Sequence, residues 1–140
     1  MRTLLLLILV GTFVSGALAQ SLSQQAQCAA QARVTAREDN NKWELENKQV
    51  GLPYRTVSFD YQSHYNAKMN RCFLMTTRTM MFGDKIYTLK NLSDAFERRD
   101  YALFTSGNPQ FCQLLPSIGQ EKYCTTQEEF DAFVAGYMEE

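Results

Sequence analysis

The sequence predicts an α+β domain, an antiparallel sheet of about five or six hairpin-connected strands flanked by an N-terminal and a C-terminal helix and fastened by two disulfides. Three observations carry this. Apolar residues recur at helical spacing near the two ends of the chain, period-two alternation punctuated by turn residues fills the middle, and four cysteines follow a leader-like N-terminus. With 45% hydrophobic and 21% charged residues, the 140-residue chain lies outside disordered and collagen-like compositions. Its 14 Lys+Arg against 15 Asp+Glu leave no clustered positive excess of the kind nucleic-acid binding needs.

Residues 1–19 read as a secretory signal peptide. Met1 and Arg2 give a short basic start, Leu4 to Val14 a greasy run too short to span a bilayer, and Ala17-Leu18-Ala19 an A-x-A site with processing expected between Ala19 and Gln20. No later run is long enough for a membrane span, and no cysteine stands near the junction to take a lipid. The remaining residues 20–140 form a single domain in this reading, placed in the periplasm or secreted. Cys28, Cys72, Cys112 and Cys124 all fall within it, and an even count behind an export signal favours disulfides over free thiols. Zinc is disfavoured because the gaps of 43, 39 and 11 residues lack the close pairs of a structural zinc site.

From Ser21 to Glu38 the chain is Ala- and Gln-rich, and Cys28, Ala32 and Ala36 form a narrow helical stripe whose small side chains let a helix lie close on a sheet. Residues 39–55 read as a polar connector, broken by Asn40-Asn41 and Gly51-Leu52-Pro53, with Trp43 docking on the core. Val57, Phe59 and Tyr61 then alternate with polar residues in a half-buried strand, and a second strand follows from Arg71 to Thr79. Between them Asn66-Ala67-Lys68-Met69-Asn70 suits a hairpin loop, since Asn tolerates left-handed backbone angles. Gly83-Asp84 marks a turn into a short third strand, Lys85 to Lys90. Leu92 to Phe104 is ambiguous: Ser93 suits a helix cap, while Glu97-Arg98-Arg99-Asp100 suits the charged tip of a hairpin, which is favoured. Phe111 to Leu115 and Glu121 to Cys124 flank Pro116-Ser117-Ile118-Gly119 in a further hairpin, which sets Cys112 across from Cys124. Cys28 then pairs with Cys72, tying the first helix to the sheet. Finally, Thr126 and Glu129 make a capping box for a helix that buries Phe130, Phe133, Val134, Tyr137 and Met138.

The strings YQSHYNAKMNRCF (61–73), LSDAFERRDYALF (92–104) and YCTTQEEFDAFVAGYM (123–138) resemble a family of small exported bacterial proteins without assigned function. Its pattern is Y-x-S-H-Y-N-x-K-x-x-x-C, D-A-F-E-x-R-x-Y-A and a C-terminal C-x-[ST]-x-x-E-F helix. The resemblance covers most of the chain after the leader. It implies an exported two-disulfide domain, brings no activity, and often has Gly at the position of Arg98, as a hairpin tip would. The chain departs from it in a longer polar connector around residues 39–52.

His64 is the only histidine, so a Ser-His-Asp triad has to be built on it, yet Ser63 points to the opposite sheet face and no G-x-S-x-G turn is present. With Tyr61, Tyr65, Asn66 and Lys68, His64 forms a candidate binding patch at a hairpin end, or else a turn-stabilising network. Asp94 and Glu97 are a conceivable glycosidase pair, although charge beside Arg98 and Arg99 suits a solvated tip. Met69, Met75, Met80 and Met81 with His64 are a conceivable copper(I) site, with core filling the simpler account. Asn91-Leu92-Ser93 fits a glycosylation sequon that matters only in a glycosylating host. No phosphate loop, dinucleotide fingerprint or metal-ligand cluster appears, so no cofactor is expected. The expectation is a non-enzymatic exported domain that binds a protein, peptide or envelope component through its sheet face or hairpin tips. The rival is a small hydrolase using His64 or the Asp94/Glu97 carboxylates.

Overall fold

The computed structural model describes residues 13–51, 53–107 and 109–139, with side chains from residue 22 onward. The greasy start of the expected leader, residues 1–12, lies outside the described residues. Helix α1 (Phe13–Val50) is followed by strands β1 (Arg55–Asn66), β2 (Arg71–Phe82), β3 (Lys85–Asp94), β4 (Asp100–Thr105), β5 (Phe111–Ser117) and β6 (Gln120–Tyr123), and by helix α2 (Gln127–Met138). The strands form one sheet in the order β1-β2-β3-β4-β5-β6, each antiparallel to the next. Among the described residues no helix is long and apolar enough to cross a membrane.

The helices cover opposite faces of this sheet, because neighbouring β2 residues point to opposite sides. Cys72 and Leu74 pack with Cys28, Ala32 and Ala36 of α1, where Ala32 and Ala36 have no exposed surface. Phe73 points the other way, into a core with Leu92, Phe104 and the fully buried Phe130 of α2. The expected stripe of small residues thus brings α1 close enough for the Thr35 hydroxyl to donate to the Ala95 carbonyl at 2.8 Å. The pairings Cys28–Cys72 and Cys112–Cys124 hold, with Cα separations of 5.3 and 5.1 Å. The first fastens α1 to β2, and the second joins β5 to the end of the β5–β6 hairpin.

The expected connector is corrected over most of its length: residues 39–50 are helix, and α1 stops only at Gly51, whose φ of 66° suits the residue that ends a helix. Asn40-Asn41 is a weak breaker, and here the sheet overrides it. Arg78 of β2 donates to Asn40 at 2.9 Å and lies 5.0 Å from the ring of Trp43, while Asn47 donates to the Tyr54 carbonyl at 2.7 Å. These contacts hold the helix along the strands past the point where propensity alone would let it fray.

Residues 92–104 resolve as a hairpin. β3 runs on to Asp94, beyond the expected Lys90, because Leu92 and Ser93 remain paired with Met75 and Leu74. The turn places Arg98 at φ 56°, a left-handed position that glycine fills without cost, just as Asn70 (φ 51°) does in the β1–β2 turn. Opposite this turn, Leu92 pairs with Ala102 and Ser93 with Asp100, so Tyr101 is an extra residue in β4. That bulge turns Tyr101 toward α2, where its ring lies 5.4 Å from Phe73 and 5.3 Å from Tyr137. At α2 the Thr126 side chain accepts the N–H of Glu129 at 3.2 Å, and the Glu129 carboxylate reaches back to the N–H of Thr125 at 2.8 Å.

Candidate functional site

The five residues Tyr61, His64, Tyr65, Asn66 and Lys68 are not gathered into one patch. Strand alternation sends Tyr61 and Tyr65 to the α1 side and His64 and Asn66 to the α2 side. Tyr65, only 8% exposed, donates its hydroxyl to Asn70 at 2.6 Å. The buried Asn66 donates to the Tyr137 carbonyl at 3.2 Å and accepts the Met69 N–H at 3.1 Å, holding the turn and docking the end of α2. His64 is half-buried opposite Phe73, and its buried Nε2 has no hydrogen-bond partner among the described residues. Lys68 stands exposed at the hairpin tip.

The methionines are likewise dispersed. Met80 is buried on the α1 side, Met75 and Met81 point to the other face, and Met69 is exposed at the tip, so no common thioether site exists. Among the described residues no group of three or more His, Cys, Asp or Glu side chains is placed to hold a metal ion.

What the fold does bring together is the β1–β2 turn, the β3–β4 turn and the N-terminal half of α1. They enclose a groove of about 320 Å³ whose walls include Gln24, Gln27, Asn70, Arg71, Phe96 and Glu97, beside the Cys28–Cys72 disulfide. Arg71 bridges the two turns, donating to Asp94 at 3.1 Å and to Glu97 at 2.7 Å. Those bonds, Glu97 first, raise the guanidinium pKa above its ordinary value, so it stays charged. The other oxygen of Asp94 accepts the N–H groups of Phe96 and Glu97, each at 2.8 Å, which fixes the turn. Phe96 therefore stands 57% exposed on a backbone that is tied down on both sides. Asp94 and Glu97 share one guanidinium, and the remaining Asp94 oxygen is taken by the backbone of its own turn.

Two features escaped the sequence reading. Arg78, 5% exposed, is stacked between Trp43 (5.0 Å) and Phe59 (4.7 Å) and bonded to Asn40, Glu44 and Thr56. Burial lowers its pKa, partly offset by Glu44. Its signal was there: Arg78 shares the strand parity of Cys72, Leu74 and Met80, and a lone charge on an inward face needs a partner. The second is the part of the sheet beyond α1, which packs on β1 and β2. There Leu103, Gln113 and Tyr123 form one cross-strand row, and Tyr123 meets Phe111 edge to face at 6.3 Å.

The fold and groove define a disulfide-fastened, six-stranded meander between two helices, with a tip-lined recess on the α1 side. No family model, curated protein or solved structure matches the chain.

Proposed function

We propose that this chain is an exported, non-enzymatic binding domain that takes a peptide segment of a partner protein in the groove between α1 and the two hairpin tips. The observation that carries the reading is Phe96: a large apolar side chain, exposed yet fixed by the Asp94 turn, beside a charged Arg71 and a wall of side-chain amides. Rigid aromatic and arginine side chains are the residue types that concentrate binding energy at interfaces, because they bury area with little loss of rotamer freedom. Gln24, Gln27 and Asn70 offer both donors and acceptors, which suits the peptide groups of an extended ligand. Two carboxylates against one guanidinium leave the groove with a net charge of −1, which disfavours an acidic ligand. Export to the periplasm or beyond the cell is supported by the leader-like N-terminus and by the two disulfides, which persist in oxidising compartments.

The test is photocrosslinking in envelope extract from position 27, on the opposite wall of the groove, so that Phe96 and Arg71 can be varied in the same chain. Capture of a defined protein, lost in Phe96→Asp and weakened at least ~10-fold in Arg71→Ala with the melting temperature held, supports the reading. Turnover of esterase, peptidase or glycosidase substrates, lost in His64→Ala or Asp94→Asn with folding intact, would replace it with the hydrolase.

A further inference from the structure

We propose that the free edge of β1 pairs antiparallel with the same edge of a second copy of this chain, about a two-fold axis at Gln62, so that Asp60 of each copy stands opposite His64 of the other. β1 lies at the end of the sheet and is 12 residues long, whereas the other edge strand, β6, has four. A long edge presents a row of outward backbone groups that template another strand. Two observations show which residues face outward. The Gln25 side chain holds both the N–H and the C=O of Tyr65, at 3.3 and 3.1 Å. Cys72, the partner of Tyr65 in β2, gives its carbonyl to Ala95 on the far side at 2.9 Å. Tyr65 therefore turns its backbone away from β2. The β1–β2 register runs unbroken from Ser58 to Asn66, so Phe59, Tyr61 and Ser63 turn theirs outward as well.

Several two-fold registers use this outward set; an axis at Asp60 sets the two Asp60 carboxylates against each other, and an axis at His64 pairs Ser63 with the partner's occupied Tyr65. An axis at Ser63 pairs Tyr61 with the partner's Tyr65, whose backbone groups Gln25 already occupies. An axis at Tyr61 sets Asp60 against Gln62 and His64 against Ser58, and leaves the Asp60 carboxylate without an imidazole partner. With the axis at Gln62, Tyr61 and the partner's Ser63 exchange hydrogen bonds, and the symmetric pair does the same. Asp60 then faces the partner's imidazole twice, and the ladder stops where Gln25 caps Tyr65. The exchange also releases the side chain it needs: the Tyr61 N–H, now held by the Asp60 carboxylate at 2.8 Å, moves to the partner's Ser63 carbonyl and frees that carboxylate for His64. Asp60, Tyr61 and Gln62 are all exposed. The occupant is thus a second copy, chosen by a carboxylate–imidazole pairing that repeats across the axis.

The register is read by cysteine cross-linking. At the axis, Gln62 meets its own copy in a non-hydrogen-bonded pair with Cα atoms about 4.5 Å apart, within disulfide reach. The full chain carrying Gln62→Cys should form a disulfide-linked dimer under mild oxidation at least ~10-fold faster than Asp60→Cys, whose two copies lie about 13 Å apart. Mixed Asp60→Cys and His64→Cys chains should form the heterodimer. Sedimentation of the unmodified chain should show dimer at high concentration, lost in Ser63→Pro, which removes an outward N–H without touching the ladder to β2. A chain monomeric at every concentration, or cross-linking at 62 no faster than at 60, overturns the proposal. The cross-linking comparison decides the matter even if Ser63→Pro fails to fold. Either result leaves the groove at Phe96 to be judged on its own.

Discussion

Replacing Cys28 and Cys72 together by alanine should destabilise the domain more than replacing Cys112 and Cys124, and the size of the difference follows from the loops they close. In the chain-entropy treatment a cross-link over 44 residues restricts the unfolded chain by about 4 kcal/mol, and one over 12 residues by about 2.8 kcal/mol. The gap is about 1.2 kcal/mol. The packing lost with each pair is similar, since Cys28 and Cys72 are 2% and 3% exposed and Cys112 and Cys124 3% and 9%. It therefore largely cancels in the comparison. The Cys28–Cys72 variant also frees α1, whose buried contacts in this region are small residues with little area of their own. Urea denaturation of both double variants, followed by far-UV circular dichroism, measures the order. At about 4 °C per kcal/mol for a domain this size, thermal midpoints should differ by about 5 °C. If the Cys112–Cys124 variant is equally or more destabilised, loop length does not govern, and the view of the first disulfide as the main fastening of α1 is wrong.

Arg78→Met should cost about 2–4 kcal/mol, as the stack on Trp43 and Phe59 and the charge-assisted bonds to Asn40 and Glu44 are lost together. Hydrogen exchange should show residues 39–50 opening first, and unchanged protection there would refute the clamp. Gly107→Ala should destabilise by about 1–3 kcal/mol, because φ is 137° and the new Cβ would fall 2.6 Å from the Tyr87 ring. Gly119→Ala, at φ 78° with open space around it, should cost less in the same melt. Burial, and next to it Tyr101, raises the Tyr137 phenol pKa above its ordinary value. Its folded pKa then exceeds its unfolded one, so its contribution to stability is complete below about pH 10 and is lost as pH rises through the folded value. Tyr137→Phe should flatten that alkaline loss, as followed by melting temperature against pH.

Local signals carried most of the fold. The Thr126 cap with the apolar spacing behind it, the Asn70 turn and the Pro116-to-Gly119 hairpin each declare themselves within a few residues, and a meander places such neighbours side by side. Residues 39–50 were illegible for the opposite reason: what keeps them helical is Arg78, 38 positions from Asn40, and no window of sequence contains both. The candidate site divides in the same way. Tyr65 and Asn66 stand at a hairpin end, as their place in the sequence indicates, and there they hold the turn. The groove is assembled from Gln24, Arg71 and Phe96, which only the packing of α1 across two turns brings together. Asp94 and Glu97 stood out as a pair, but their common guanidinium lies 23 residues before Asp94.

Both disulfides join cysteines that are consecutive along the chain, first with second and third with fourth. A polypeptide entering an oxidising space N-terminus first therefore presents each thiol to its native partner before any competing thiol of the next pair arrives. Cys72 follows Cys28 into reach with the β1–β2 hairpin, and Cys124 follows Cys112 with the β5–β6 hairpin. In the exported chain proposed above, each native bridge thus joins a cysteine to the next one delivered, and neither pairing requires a thiol to wait past an intervening cysteine.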